Sequence, residues 1–125
     1  MGTRFMATKE FPIHDNFKQR LVDSPETGSL MVMKSVRNPS RVIRTPWTEK
    51  ILEMENSGAT IQELTPMITG EVSRKGWQEG TVDEGLYSAG MVMGRIKDIP
   101  SIGELMERII NEAQEAQTQI ARLFQ

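Results

Sequence analysis

The sequence has no cysteine in its 125 residues. That excludes a disulfide framework, a thiolate zinc site and a cysteine nucleophile. Aromatic side chains are scarce, at four Phe, two Trp and one Tyr. Histidine occurs once, as His14. Neither sign of charge dominates: 15 Lys and Arg face 17 Asp and Glu, for a net charge of −2. Such a balance argues against a protein that tracks nucleic-acid phosphates. Long apolar runs are missing as well. The longest is Leu30-Met31-Val32-Met33, against the ~20 residues a membrane-spanning helix needs. The opening residues show no basic-then-apolar signal, so the expected compartment is the cytoplasm. The length suits one domain of ~100–150 residues. It is too short to close an eight-stranded α/β barrel, which takes at least ~200.

What charge there is lies unevenly. Residues 1–60 hold 9 basic and 7 acidic side chains, and residues 61–125 hold 6 and 10. Lys34, Arg37, Arg41 and Arg44 follow one another with no acid between them. That stretch suits an anionic ligand or an acidic surface, although a solvated face is the commoner outcome. Whether Arg37, Arg41 and Arg44 meet the phosphates of a nicotinamide cofactor stays open at this level.

Capping residues, Pro and Gly divide the chain. A short helix is expected between Met1 and Glu10, ahead of Pro12. Asp15 is the expected N-cap of a helix over 16–23 carrying Phe17, Leu21 and Val22. Ser24–Gly28 reads as a turn. Leu30–Val36 is the best strand candidate, apolar enough to be covered on both faces. Asn38-Pro39 opens an expected helical turn with Val42 and Ile43. Thr45-Pro46 then starts a helix that buries Trp47, Ile51, Leu52 and Met54. Thr60-Ile61-Gln62-Glu63 is a capping box ahead of Leu64, Met67 and Ile68, with Gly70 as the stop. A further helix runs 71–79 to Gly80. Ser101–Glu104 is a second capping box, and apolar residues recur from Ile102 to Leu123 at steps of three and four. The fold class is mainly α with one or two short strands, which is few for a self-contained α/β domain.

Chemistry-bearing motifs are sparse. His14 has no nucleophile or ligand cluster beside it in sequence, and a surface role is the simpler reading. Metal-binding and phosphate-loop patterns are absent, and no metal site is expected. Asp83-Glu84 reads as solvated turn charge. Met31, Met33, Met91 and Met93 suit irregular core gaps. Two stretches stand out. Gly2-Thr3 falls at a helix start, where free amides favour phosphate. Ser88-Ala89-Gly90 leads to Gly94, and small residues at 90 and 94 admit another backbone or a flat ligand.

Taken in order, several motifs resemble one family. They are Met1-Gly2-Thr3-Arg4-Phe5-Met6-Ala7-Thr8, Ser35–Val42, Gly80-Thr81-Val82-Asp83-Glu84-Gly85, Ser88-Ala89-Gly90 and Asp98-Ile99-Pro100-Ser101. The set is similar to the C-terminal part of nitronate monooxygenases (2-nitropropane dioxygenases) and the related FMN-dependent NADH:quinone reductases. The resemblance implies the final helices of an FMN-binding α/β (TIM) barrel together with its inserted helical domain. On this basis residues 1–27 are the end of the barrel, with its phosphate-binding turn. Residues 28–86 are the insert, and 87–125 return to the barrel and end in an outer helix.

The resemblance makes Met1, Gly2 and Thr3 backbone contacts to the FMN phosphate, with Ser88 a hydroxyl contact. It supplies no catalytic residue, because the family's catalytic His lies on a barrel strand without a counterpart here. Met91 stands where some members have Gln. The implied activity is oxidation of alkyl nitronates; NAD(P)H:quinone reduction is the alternative. The implied partners are a small nitronate or quinone, with NAD(P)H as donor, and neither nucleic acid nor membrane. The chain is expected to be a portion of a larger enzyme, inactive alone. A reading from another class is a non-catalytic helical module that self-associates or complements an N-terminal part.

Overall fold

A computed structural model describes residues 1–124. The elements in chain order are α1 (Gly2–Met6), α2 (Asp15–Asp23), β1 (Ser29–Val32), β2 (Ser40–Ile43), α3 (Pro46–Asn56), α4 (Ile61–Ile68), α5 (Gly70–Glu79), a 3-10 turn (Met91–Arg95) and α6 (Ile102–Leu123). The chain is thus mainly helical with one two-stranded sheet, as its residues imply. β1 and β2 are antiparallel, with Leu30 opposite Val42 and Met31 opposite Arg41.

Several boundaries differ from the local signals. The helix α1 stops at Met6 rather than near Glu10. His14, not Asp15, caps α2: its Nδ1 accepts the Asn16 N–H at 3.1 Å. Strand β1 ends at Val32 because Met33 turns left-handed, at φ 62°. Residues 40–43 are a strand and not a helical turn. Val42 and Ile43 are β-branched, and pairing with β1 overrides the local Asn-Pro signal. Gly70 opens α5 instead of stopping α4, whose end is set by extended backbone at Thr69. The Thr45, Thr60 and Ser101 caps all form, each accepting the amide N–H three residues on.

The β1–β2 connection is held from outside by α3. The Glu55 carboxylate accepts the Met33 N–H at 2.7 Å, the Ser35 N–H at 2.9 Å and the Ser35 hydroxyl at 2.6 Å. Burial opposes ionisation of Glu55, but these donors, helped by Lys34, outweigh it and lower the carboxyl's pKa.

Two apolar cores flank the sheet. One gathers Ala7, Phe17, Leu21, Ile43, Tyr87, Ala89, Met93 and Ile96. The other gathers Leu30, Val32, Val42, Ile51 and Leu64. Of the paired methionines, Met93 is fully buried, whereas Met91 is exposed. Trp47, Leu52 and Met54 pack only partly against the second core. The periodic stripe of α6 is present but uncovered among the described residues: Leu105 is buried, while Ile110 is 52% exposed.

A charged junction fixes α1 to the rest. The Arg4 Nη2 donates to the carbonyls of Ala7 (2.9 Å) and Asp98 (3.0 Å). Asp98 also accepts from Arg4 at 3.3 Å and from both Arg108 terminal nitrogens at 3.2 and 2.8 Å. Hydrogen bonding from Arg108, opposed by burial and reinforced by the Arg108 and Arg4 charges, holds the Asp98 carboxyl below its ordinary 3.8. A carboxylate depressed in the folded state stabilises above its unfolded value. It loses that contribution as pH falls through the folded one. Stability should therefore drop below about pH 4, and Asp98→Asn should lose part of that dependence while weakening the fold at neutral pH. Thermal midpoints across pH for both proteins check this; parallel curves would refute it.

Candidate anion cavity and apolar groove

Residues 87–89 lie along β2. Val42 bridges Ser88 in antiparallel fashion, the Ile43 N–H donates to the Tyr87 carbonyl (2.9 Å), and the Ala89 N–H donates to the Arg41 carbonyl (3.3 Å). This pairing carries Ser88-Ala89-Gly90 to the start of α1. There the Thr3 hydroxyl accepts the Gly90 N–H at 2.9 Å. The result is a cavity of about 350 Å³ lined by Gly2, Thr3, Met6, Arg41, Ser88, Ala89 and Gly90.

Three of the four residues implicated by sequence, Gly2, Thr3 and Ser88, meet in this cavity. Met1 does not line it. The Met1 carbonyl instead accepts the Arg4 and Phe5 amides at 3.1 and 3.3 Å. The opening amides of a helix have no acceptor within it, and those of Gly2 and Thr3 find none elsewhere among the described residues.

Arg41, grouped by sequence with Arg37 and Arg44 as a candidate for nicotinamide phosphates, is the contributor that the sequence did not assign to this site. Strand alternation from the buried Val42 would have put it on the other face. Its Nη1 donates to the Ser29 hydroxyl at 3.1 Å, and no carboxylate pairs with it among the described residues. Arg44 is different. It lines a separate cavity of about 620 Å³ with Arg20, and both are neutralised, Arg44 by Glu49 at 3.1 Å and Arg20 by Asp83 at 2.7 Å. Arg41 thus lines the smaller cavity without a carboxylate partner, together with Ser88 and the acceptor-free start of α1.

The glycines separate into two kinds. A Cβ at Gly94 would press on the Glu26 backbone, 2.7 Å from its Cα, so that glycine serves packing. At Gly2 a Cβ would meet nothing within 4 Å, and at Gly90 only ordinary contacts, the nearest 3.5 Å away at the Thr3 hydroxyl. Neither has positive φ. Glycine in a helix costs about 1 kcal/mol relative to alanine, so Gly2 answers to no demand of the protein's own packing.

A groove of about 600 Å³ shares Met6 and Ser88 with this cavity and adds Phe11, Pro12, Ile13, Arg74, Trp77, Gln78 and Leu86. His14 adjoins its loop, where its ring caps α2 and its backbone N–H donates to the Trp77 carbonyl at 3.3 Å.

Comparison with known proteins gives the family. Residues 1–112 match the nitronate monooxygenase family. FabK from Thermotoga maritima superposes with a TM-score of 0.88 at 29% identity, over 97% of this chain and 38% of that one. Its M276A mutant superposes at 0.79, with 27% identity over 97% and 35%. A Mycobacterium tuberculosis protein, (3aS,4S,5R,7aS)-5-hydroxy-7a-methyl-1-oxo-octahydro-1H-indene-4-carboxyl-CoA dehydrogenase, is 25% identical over 90% of this chain and 42% of its own length. The chain thus spans about two fifths of the relatives it matches. It belongs to the nitronate monooxygenase family.

Proposed function

We propose that this chain forms the phosphate-holding part of an FMN-dependent oxidoreductase that oxidises alkyl nitronates. The observation that carries the reading is the small cavity where Gly2, Thr3, Ser88 and the unpaired Arg41 converge. The residues suit the group: the Gly2 and Thr3 amides have no acceptor among the described residues, Ser88 carries a hydroxyl and Arg41 a guanidinium, and Gly2 stands in open space that leaves its backbone approachable. The Thr3 hydroxyl keeps Gly90 at that wall. The Arg4–Asp98–Arg108 junction holds α1 in register with it. Bound FMN would supply two-electron redox chemistry, while the protein positions it. The groove beside Met6 and Ser88 provides an apolar place for substrate.

The division into 1–27, 28–86 and 87–125 fits this reading. The first core draws on both outer segments and on Ile43 of the middle one, with Trp77 and Val82 packed against it, and the second lies wholly within the middle one. We place 1–27 and 87–125 at the edge of a TIM barrel and 28–86 in its insert. The exposed stripe of α6 supports packing against further protein, either the rest of such a barrel or a second copy. A second reading, dehydrogenation of an acyl thioester, is favoured by the name of the Mycobacterium tuberculosis relative.

Dialysis of the purified chain against FMN, followed by assays with propyl-2-nitronate and NADH, tests the proposal. Retention of FMN without turnover is expected, because relatives extend well beyond the matched portion. Failure to retain FMN would overturn the assignment, and turnover would overturn the partial site.

A further inference from the structure

We propose that the groove beside the anion cavity takes an amphipathic carboxylate, and that Arg74 selects it by its charge. This names a ligand class for the site proposed above and relies on that reading only for the groove's role in turnover.

The groove's walls are chemically unequal. Met6, Phe11, Pro12 and Ile13 give it an apolar side with no charged group. The opposing contribution comes from α5, where Arg74, Trp77 and Gln78 stand at spacings of three and four and so share one helix face. The Trp77 ring is fixed from behind by Phe17 at 4.5 Å and Tyr87 at 4.9 Å between centroids. That face is therefore rigid around the tryptophan.

Its polar groups are all unengaged. Arg74 makes no ion pair among the described residues, although Lys75, next to it, is 3.9 Å from Glu79. The indole N–H of Trp77 has no acceptor there, in contrast to that of Trp47, which donates to the Met67 carbonyl at 2.9 Å. No carboxylate lines the groove. At about 600 Å³ it falls within the roughly 300–1,000 Å³ of cavities that hold small molecules. An apolar body would lie along Met6, Phe11 and Ile13. A carboxylate would then pair with a guanidinium that has no competing anion.

The test uses decanoate and decanol, titrated calorimetrically into the wild-type chain, Arg74→Gln and Arg74→Lys. Arg74 is exposed, so neither substitution threatens the fold. Decanoate is expected to bind more tightly than decanol. Arg74→Gln should weaken decanoate by about tenfold, the loss of one partly exposed charge pair, leave decanol unchanged, and be partly rescued by Arg74→Lys. Equal affinity for acid and alcohol, indifference of decanoate to Arg74→Gln, or no binding of either would overturn the proposal. The titrations contain no flavin. Arg74-dependent decanoate binding by a chain that does not retain FMN would therefore leave this inference standing while removing the flavin assignment.

Discussion

Phe17→Ala is expected to lower the stability of the fold by about 3–5 kcal/mol, the cost of emptying a large aromatic site. Phe17 is fully buried, with ring centroids 4.4 Å from Tyr87 and 4.5 Å from Trp77. Leu21, Ile43, Met93 and Ile96 complete the core around it. Those neighbours come from a helix, a strand, a 3-10 turn and the extended residue after it, so no single element can collapse to fill the space. The consequence reaches the site. Tyr87 precedes Ser88, and Trp77 lines the groove, so both lose a backing surface. Urea unfolding gives the magnitude. A loss under about 1 kcal/mol would mean that the aromatic trio does not hold this core.

The second large effect is Gly76→Ala. In an exposed helix this change stabilises by up to about 1 kcal/mol. Here the sign should invert. The added Cβ would overlap the Tyr87 hydroxyl, which donates to the Thr81 carbonyl at 3.3 Å, and would lie 3.2 Å from that same carbonyl. Overpacking of this kind costs about 1–3 kcal/mol. Two comparisons separate it from a propensity effect. Gly70→Ala in the same helix, with nothing within 4 Å, should be neutral or stabilising. Tyr87→Phe should recover part of the Gly76→Ala loss, because the hydroxyl is the nearest obstacle. If Gly76→Ala stabilised the protein, the packing of α5 on Tyr87 would be wrong.

The physics of the sequence explains what was legible. Capping boxes and steps of three and four are local, so the caps at Thr45, Thr60 and Ser101 and the long α6 could be read directly. Strand β2 could not, because its cause lies in β1 and in residue 88, far away in sequence. The same holds for Arg41. The basic stretch 34–44 was visible, but Lys34, Arg37 and Arg41 all lack an ion pair among the described residues, and only the pairing of β2 with residues 87–89 brings Arg41 to the cavity. Gly90 and Gly94 looked equivalent four residues apart; only the position of Glu26 makes one a packing glycine and the other a cavity wall. The donors on α5 carry no motif at all. Their significance comes from the loop 11–13 standing opposite.

The central claim is that Gly2, Thr3, Ser88 and Arg41 hold a flavin by its phosphate. Amide chemical shifts of the chain titrated with FMN, and separately with riboflavin, which lacks the phosphate, test it most directly. The account predicts that FMN moves the Gly2, Thr3, Ser88 and Gly90 amides while riboflavin leaves them in place. Arg41→Ala should weaken FMN by about tenfold, as for the loss of one charge-assisted contact. Equal perturbation by both flavins, or FMN binding indifferent to Arg41→Ala, would contradict it.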